Sequence, residues 1–204
     1  MLDALGYIGR EIGAAFHGRS GRWAYEAGVF NGSGEDELDI NDAKSAAARV
    51  EYRLERRPAR VGLAGSYHET RVAFPGGPLR ERAGAAVSLD GEWGDFFRPG
   101  LHALGEVVLG ENLLTGDALW GAQAWLAWFR PLAGGRLEGV EPVARVSYGA
   151  PSDVIGGEGL LLTPGVNLYL FSRNKLALNW DVFLSGADGF GTEHALRAQA
   201  QLYF

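Results

Sequence analysis

The sequence predicts an all-β protein, an antiparallel transmembrane β-barrel of the up-and-down type, and three observations support this fold class. Apolar and polar residues alternate with a period of two along most of the 204 residues. The alternating segments are about 9–12 residues long, which suits a tilted strand that crosses a bilayer and exceeds the usual strand of a globular protein. Short and long connections alternate between the segments, as they do in outer-membrane barrels.

The alternation is clearest at the C-terminal end of the chain. One side of the last predicted strand is apolar and carries Leu196, Ala198, Ala200, Leu202 and Phe204. The other side carries Arg197, Gln199, Gln201 and Tyr203. A strand separates these two sets, whereas a helix would mix Arg197 and Gln201 with the apolar residues.

The same pattern predicts about ten to twelve strands in one barrel domain that covers residues 1–204. Our assignment places them at roughly residues 7–17, 22–30, 45–55, 59–69, 82–91, 100–110, 119–130, 140–148, 160–171, 175–185 and 194–204. The short connections include Gly18–Gly21, Arg56–Pro58 and Ser172–Asn174. The long connections are Asn31–Lys44, Thr70–Glu81, Glu111–Ala118, Gly149–Gly159 and Gly186–Glu193. With Phe204 at the periplasmic end, every long connection lies outside.

Composition excludes several other classes of protein. No run of about 18 apolar residues occurs, which excludes a transmembrane helix. The chain has no cysteine, which excludes disulfides and cysteine-based metal sites, and its net charge of -6 disfavours nucleic acid as a partner. The first residues lack the basic and apolar regions of a signal peptide. We therefore expect an N-terminally truncated chain, a mature form or a mis-started reading frame.

The sequence offers no convincing active site or metal site. Its four histidines, His17, His68, His102 and His194, lack the spacing of a zinc motif, and neither a phosphate-binding loop nor a nucleophile motif occurs. The acidic connection at residues 32–42 has oxygen ligands for calcium without the ligand order of an EF-hand, so a solvated external loop explains it better. We expect a protein that is not an enzyme and binds no cofactor or metal.

Three segments of the chain resemble known bacterial membrane proteins. Tyr25–Gly32 (YEAGVFNG) and Ala47–Arg53 (AARVEYR) look like segments of the phosphate-selective porin O/P family. Ala195–Phe204 is similar to the last strand of many outer-membrane proteins. The resemblance covers most of the chain, as the C-terminal portion of a longer barrel of about sixteen strands.

This resemblance implies a location and a function. It implies the bacterial outer membrane, contact with its lipid, a homotrimer, and passive diffusion of small hydrophilic or anionic solutes, with a bias toward anions such as phosphate. The basic residues behind that bias in the family do not align here, so phosphate selectivity is not carried over to particular positions. The resemblance also implies that the outer-membrane assembly machinery reads Phe204, with Leu202 and Ala200, as its signal.

The predicted number of strands bears on how the barrel closes. Open sheet edges in lipid would leave backbone groups unsatisfied, at a cost of several kcal/mol each. We therefore expect further strands before residue 1, with a small closed barrel of ten or twelve strands as the alternative.

A pore needs a polar lumen rather than catalytic residues. Strand alternation assigns these lumen-facing candidates: Arg49, Arg53, Arg60, Arg145, Lys175, Arg197, Glu51, Glu106, Asp181, Gln123, Asn167, Asn179, Gln199 and Gln201. Because Glu51 and Glu55 flank Arg49 and Arg53, we expect a neutralised charge ladder there. Arg145 and Arg197 have fewer acidic neighbours in the sequence, so we expect them to contribute most to charge preference.

Two other classes of function compete with a pore. A non-channel outer-membrane barrel, such as an adhesin or an enzyme, would need a structured loop or a catalytic group in its wall. A soluble β-barrel or sandwich that binds a ligand would bury its apolar face. Packing Arg197, Gln199 and Gln201 into a dry core would be costly, because unpaired polar groups lose their hydration there. This cost favours a wet interior.

Overall fold

Alternating apolar and polar residues build one antiparallel sheet in which each strand pairs with its neighbours in the sequence. The computed structural model describes residues 12–31, 44–55, 58–72, 80–95, 98–154, 157–171, 174–186 and 191–202. Eleven strands lie in these ranges, and their spatial order is their order along the chain. The predicted all-β meander is confirmed. Within the described ranges, no helix is long and apolar enough to cross a membrane.

The strands are numbered in chain order. Their bounds are β1 Gly13–Ser20, β2 Trp23–Phe30, β3 Ser45–Arg53, β4 Ala59–Val72, β5 Arg80–Trp93, β6 Gly100–Glu111, β7 Ala118–Pro131, β8 Leu137–Ala150, β9 Gly159–Leu170, β10 Lys175–Ser185 and β11 Thr192–Gln201. Four of them, β4, β5, β7 and β8, are 14 residues long. They extend beyond the segments that alternation predicted, because regular pairing continues past the last clearly alternating residue.

The first hairpin differs from the predicted one. β1 continues through Gly18 to Ser20, and these residues pair with Tyr25 and Trp23 of β2. The chain reverses at Gly21, whose φ of 59° lies in the left-handed region that glycine adopts without strain. The predicted turn at Gly18–Gly21 was wrong, because Gly18 belongs to the strand. A side chain there would collide with the Tyr25 ring on the neighbouring strand.

The two faces of the sheet differ in polarity and in exposure. The outer face carries large exposed apolar side chains, among them Leu63, Leu89, Leu109, Trp120, Leu126, Trp128, Leu162 and Trp180. The inner face carries most of the charged and amide side chains together with the most buried positions. On β10, Ala177 of the inner face is 5% exposed and the adjacent Leu178 of the outer face is 42% exposed.

The sheet curves around its polar face. Residues from six consecutive strands, from Ala15 on β1 to Val108 on β6, line one cavity of about 400 Å³. Side chains on a concave surface converge and cover one another, whereas those on a convex surface stand apart. The inner face is therefore the concave one, and the apolar face is convex.

The outermost strands of the sheet are β1 and β11. In the described part of the chain, β1 pairs with β2 alone and β11 with β10 alone, and both faces of β11 are exposed. Neighbouring strands alternate in direction, so β1 and β11 run the same way. A direct pair between them would be parallel, unlike every other pair in the sheet.

Candidate functional site: the charged inner face

Every lumen-facing candidate from the sequence lies on the inner face of the sheet. They are Arg49, Arg53, Arg60, Arg145, Lys175, Arg197, Glu51, Glu106, Asp181, Gln123, Asn167, Asn179, Gln199 and Gln201. Those on β11 are exposed, since one edge of that strand has no neighbour in the described ranges. The others divide into two stretches of wall with different chemistry.

The first stretch, called the ion-paired wall, consists of Arg49, Glu51, Arg53, Arg60, Asp90 and Glu92 on β3, β4 and β5. Glu51 binds two arginines through different carboxylate oxygens, Arg53 at 3.1 Å and Arg60 at 2.7 Å. Arg60 also binds Glu92 at 2.5 Å, and Arg49 binds Asp90 at 2.7 Å. Each cation of this wall therefore faces a carboxylate.

A glycine on β4 allows the ion pair that spans the most strands, between Arg49 and Asp90. Gly62 lies between Glu51 and Asp90 in the cross-strand register. Arg49 on β3 reaches across β4 to Asp90 on β5, and a Cβ added at Gly62 would collide with both of their charged ends. The arginine spans a neighbouring strand because that strand has no side chain at this position.

The charge ladder expected around Arg49 and Arg53 is present, but its pairing differs from the sequence order. Arg49 binds Asp90 rather than its sequence neighbour Glu51, and Glu55 forms an ion pair with Arg22 of the first turn rather than with Arg53. Arg22 also donates a hydrogen bond to the Tyr52 hydroxyl at 3.1 Å. Neutralisation thus comes mostly from across the sheet.

The second stretch, called the amide-rich wall, consists of these inward polar residues of β6–β10: His102, Glu106, Gln123, Glu141, Arg145, Ser147, Thr163, Asn167, Tyr169, Lys175, Asn179 and Asp181. Its carboxylates accept hydrogen bonds from neutral donors. Gln123 donates to Glu106 at 2.7 Å, and Thr163 donates to Asp181 at 2.7 Å. Asp181 also pairs with Arg197 of β11, whereas Glu106 and Glu141 meet only neutral donors in the described ranges and keep their charge uncompensated.

Glu141 is the most enclosed carboxylate of this wall, with an exposure of 3%. A single oxygen, Oε2, accepts hydrogen bonds from Asn167 Nδ2 at 2.7 Å and from the Tyr169 hydroxyl at 2.8 Å. Asn167 is its direct cross-strand partner, so the register of β8 and β9 places this pair. Neutral donors satisfy the carboxylate without cancelling its charge.

The structure distinguishes Arg145 from Arg197, which the sequence treated alike. Arg197 lies 2.6 Å from Asp181, its neighbour on β10, although few acidic residues lie near it in the sequence. Arg145 has a buried Nε without a hydrogen-bond partner, and in the described ranges its guanidinium forms no ion pair. Its cross-strand neighbours are Trp125 and Thr163, and neither carries a charge.

Arg145 lines a cavity of about 650 Å³ in the amide-rich wall. Glu106, Gln123 and Ser147 line it as well, with Leu161 and Phe183 on its apolar side. Nearby, two long connections are joined to each other, because Asn112 donates to the Pro151 carbonyl at 2.9 Å and Ser152 donates to Asp117 at 2.7 Å.

Sequence reasoning missed Glu92, Thr163, Tyr169 and Phe183 as inner-face residues with a role. Glu92 follows the predicted end of its strand at residue 91, and continued alternation would have included it. Thr163, Tyr169 and Phe183 belong to the correct alternating set, but neutral and aromatic side chains gave no reason to choose them. Only their partners across the sheet identify them.

The remaining sequence expectations concern the chain end and metals. Leu202 and Ala200 are exposed at the end of the sheet, and Phe204 lies outside the described residues, as does the acidic connection at 32–42. In the part of the chain that the structure describes, no three His, Asp or Glu residues lie close enough to hold a metal ion.

Comparison with known proteins adds no relative. The chain matches no family model, no curated protein and no solved structure at a significant level.

Proposed function

We propose that this protein is a porin, an outer-membrane β-barrel that lets small hydrophilic solutes diffuse passively. The observation that carries the proposal is the polarity of the sheet, whose convex face is apolar and exposed while its concave face is polar. Soluble proteins rarely expose a continuous apolar surface of this extent. Hydrocarbon around the convex face and water along the concave face would satisfy both.

The width of the sheet supports a water-filled interior. A barrel of about eight strands has an interior that side chains can fill, and larger barrels leave a channel. The described part of the chain forms a meander of eleven strands. Its inner side chains bind one another along the wall, as Glu51 does with Arg60 and Glu106 with Gln123, instead of meeting in a packed centre. The proposal includes closure of the barrel by further strands.

The charges of the inner face favour a pore with weak overall preference. Cations and carboxylates alternate in the ion-paired wall, so that stretch presents little net charge to a passing ion. Preference for anions such as phosphate, which the family resemblance implies, would depend on Arg145 and Lys175 in the rest of the lining. Lipid contact, recognition by the assembly machinery through the last strand, and a homotrimer belong to the same proposal.

The competing functions fit the sheet less well. A soluble binding protein would place its polar face in water and its apolar face in the core, the opposite of the arrangement here. An adhesin or a barrel enzyme shares the membrane architecture. Ser45 and His68 form a hydrogen-bonded nucleophile and base on β3 and β4, but they are direct cross-strand partners, and the regular pairing of these strands explains their contact without catalysis. Passive transport needs neither.

Planar-bilayer recordings test the proposal directly. Discrete conductance steps at salt concentrations near 1 M are expected from the purified protein, and the reversal potential in a salt gradient reports its charge preference. A protein that dissolves without detergent and gives no steps at any concentration would overturn the porin assignment.

A pair of arginine substitutions tests which face meets lipid. Leu178→Arg places a charge on the convex face and is expected to destabilise the inserted protein by about 2–4 kcal/mol, enough to block insertion. Gln199→Arg places the same charge on the concave face of the adjacent strand and is expected to insert normally. Insertion into lipid vesicles, measured by the heat-modifiable gel shift, compares them. Equal insertion of the two variants would contradict the proposed orientation.

A further inference from the structure

The cavity beside Arg145 contains an arrangement of groups that the proposed pore does not require. Glu106, Gln123, Ser147, Leu161 and Phe183 form one cross-strand row that runs through β6, β7, β8, β9 and β10. The row passes from an anionic end through neutral polar groups to an apolar end. All five residues line the same cavity of about 650 Å³.

Glycines create the space for this cavity. Gly121, Gly149 and Gly159 are cross-strand partners on β7, β8 and β9, and they form the inner-face row next to the first one. All three line the cavity. Gly121 and Gly149 leave a hollow in the wall, and the Phe183 ring, which lies over Gly159, borders it on the β9 side. The cavity is large enough for a small organic molecule, since ligand pockets measure about 300–1,000 Å³.

The cationic group lies on the opposite side of the row from the glycines. Arg145 is two residues from Ser147 on β8, so its side chain leaves the same face beside the centre of the row. Its buried Nε has no hydrogen-bond partner in the described ranges. A carboxylate from a solute would supply the acceptors that this guanidinium lacks.

The anionic group lies two strands away from the cation. Two strand spacings of about 4.8 Å and a step of two residues put the Cα atoms of Glu106 and Arg145 about 12 Å apart. Both side chains line the cavity, so a solute that carries both charges can lie between them. One oxygen of Glu106 accepts from Gln123 at 2.7 Å, which leaves the other oxygen for an ammonium group.

We infer that this cavity is a binding site for zwitterionic amino acids with apolar side chains. The inference rests on the proposed function, since it names a solute class for the pore. The carboxylate binds Arg145, the ammonium binds Glu106 and the Gln123 carbonyl, and the side chain packs toward Leu161 and Phe183. One cation and one carboxylate without a charged partner make the site complementary to a molecule that carries both charges.

Three matched compounds test this site by calorimetry on the protein folded in detergent micelles. L-Phenylalanine has both charges, 3-phenylpropanoate lacks the ammonium, and 2-phenylethylamine lacks the carboxylate. L-Phenylalanine is expected to bind roughly tenfold more tightly than either analogue, because only it satisfies both charged groups. Equal affinity for the three, or the tightest binding by 3-phenylpropanoate, would overturn the zwitterion site.

Two substitutions separate the charged contacts. Arg145→Gln is expected to weaken L-phenylalanine and 3-phenylpropanoate by roughly tenfold and to leave 2-phenylethylamine unchanged. Glu106→Gln is expected to weaken L-phenylalanine and 2-phenylethylamine and to leave 3-phenylpropanoate unchanged. The exposed Arg136→Gln and Glu138→Gln change the same charges away from the inner polar face and serve as controls. Unchanged affinities for all three compounds in both Arg145→Gln and Glu106→Gln would contradict the inference.

Bilayer recordings distinguish failure of the site from failure of the pore. Conductance steps without this pattern of affinities would overturn the amino acid site and leave the porin assignment standing. The pattern of affinities without conductance steps would overturn the porin assignment and leave the binding site standing.

Discussion

The ion-paired wall and the amide-rich wall belong to one sheet, yet they handle charge differently. In the first, each arginine meets a carboxylate. Arg53 meets Glu51 on its own strand, while Arg60 and Arg49 reach across one or two strands, as Arg49 does to Asp90. In the second, Glu106 and Glu141 meet only neutral donors, and the Arg145 guanidinium has no ion-pair partner in the described ranges. The difference shows that the number of charges in a wall does not predict the field it presents.

The two walls therefore have different roles along the lining. Cross-strand ion pairs brace β3, β4 and β5 against one another while presenting almost no net charge. Neutral donors on β7 and β9 hold carboxylates in place without cancelling them, so those charges and Arg145 stay available to a solute. The ion-paired wall is therefore expected to matter for stability, and the amide-rich wall for selection.

The largest expected difference is in stability when one carboxylate of each wall becomes an amide. Glu51→Gln removes the shared partner of Arg53 and Arg60, and we expect a loss of about 2 kcal/mol. This is below the cost for a fully buried pair, because the arginine side chains are 55% and 41% exposed. Urea unfolding in lipid vesicles, followed by tryptophan fluorescence, measures the free energy of unfolding.

Glu141→Gln is the matched change in the amide-rich wall. Both donors to Glu141 use the same oxygen, so the amide oxygen of glutamine can accept from Asn167 and Tyr169 in the same way. We expect a loss below about 1 kcal/mol. If Glu141→Gln cost as much as Glu51→Gln, the two walls would not differ in how they support the fold.

A smaller effect is expected from the glycine beneath the long ion pair. Gly62→Ala would put a methyl group against the Arg49 guanidinium and the Asp90 carboxylate, and we expect a loss of about 1 kcal/mol as this pair is pushed apart. Gly91→Ala is the control on the neighbouring strand, because the nearest atom to its added methyl group is the Arg60 carbonyl oxygen at 3.8 Å. The same urea titration applies.

The Gly91→Ala variant tests whether a methyl group destabilises the sheet only where it meets the Arg49–Asp90 pair. This variant is expected to be neutral or slightly stabilising, since alanine loses less backbone entropy than glycine on folding. Equal destabilisation by Gly62→Ala and Gly91→Ala would mean that a side chain at either position destabilises these strands. The reach of Arg49 across β4 would then depend on something other than Gly62.

The strands and their faces could be predicted from the sequence because a period of two is a local property. Leu178 and Asn179 fall on opposite faces of any strand that contains both, whatever lies beside it. The first turn was misplaced because two glycines, Gly18 and Gly21, compete for it. Only pairing with β2 shows that Gly21 takes the left-handed conformation.

The partners of the charged groups could not be predicted, because they depend on register between distant segments. Arg49 and Asp90 are separated by 41 residues, and they meet because β4 offers a glycine between them. Arg197 meets Asp181 through the β10–β11 register. The lack of a partner at Arg145 likewise follows from its neighbours across the sheet rather than from its neighbours in the sequence.

The smallest expected effect concerns charge preference, and it compares the walls most directly. Arg145→Gln removes a cation that no ion pair cancels. A unit charge about 7 Å from a passing ion in water contributes about 0.6 kcal/mol, and salt at about 0.1 M screens this to about half. The charge attracts anions and repels cations by that amount, so the anion-to-cation permeability ratio is expected to fall roughly two- to threefold. The double change Arg49→Gln with Asp90→Asn removes a cancelled pair and is expected to leave the ratio nearly unchanged. Reversal potentials in a potassium chloride gradient compare them. A larger shift from the double change would mean that the ion-paired wall, despite its pairing, sets the field in the lumen.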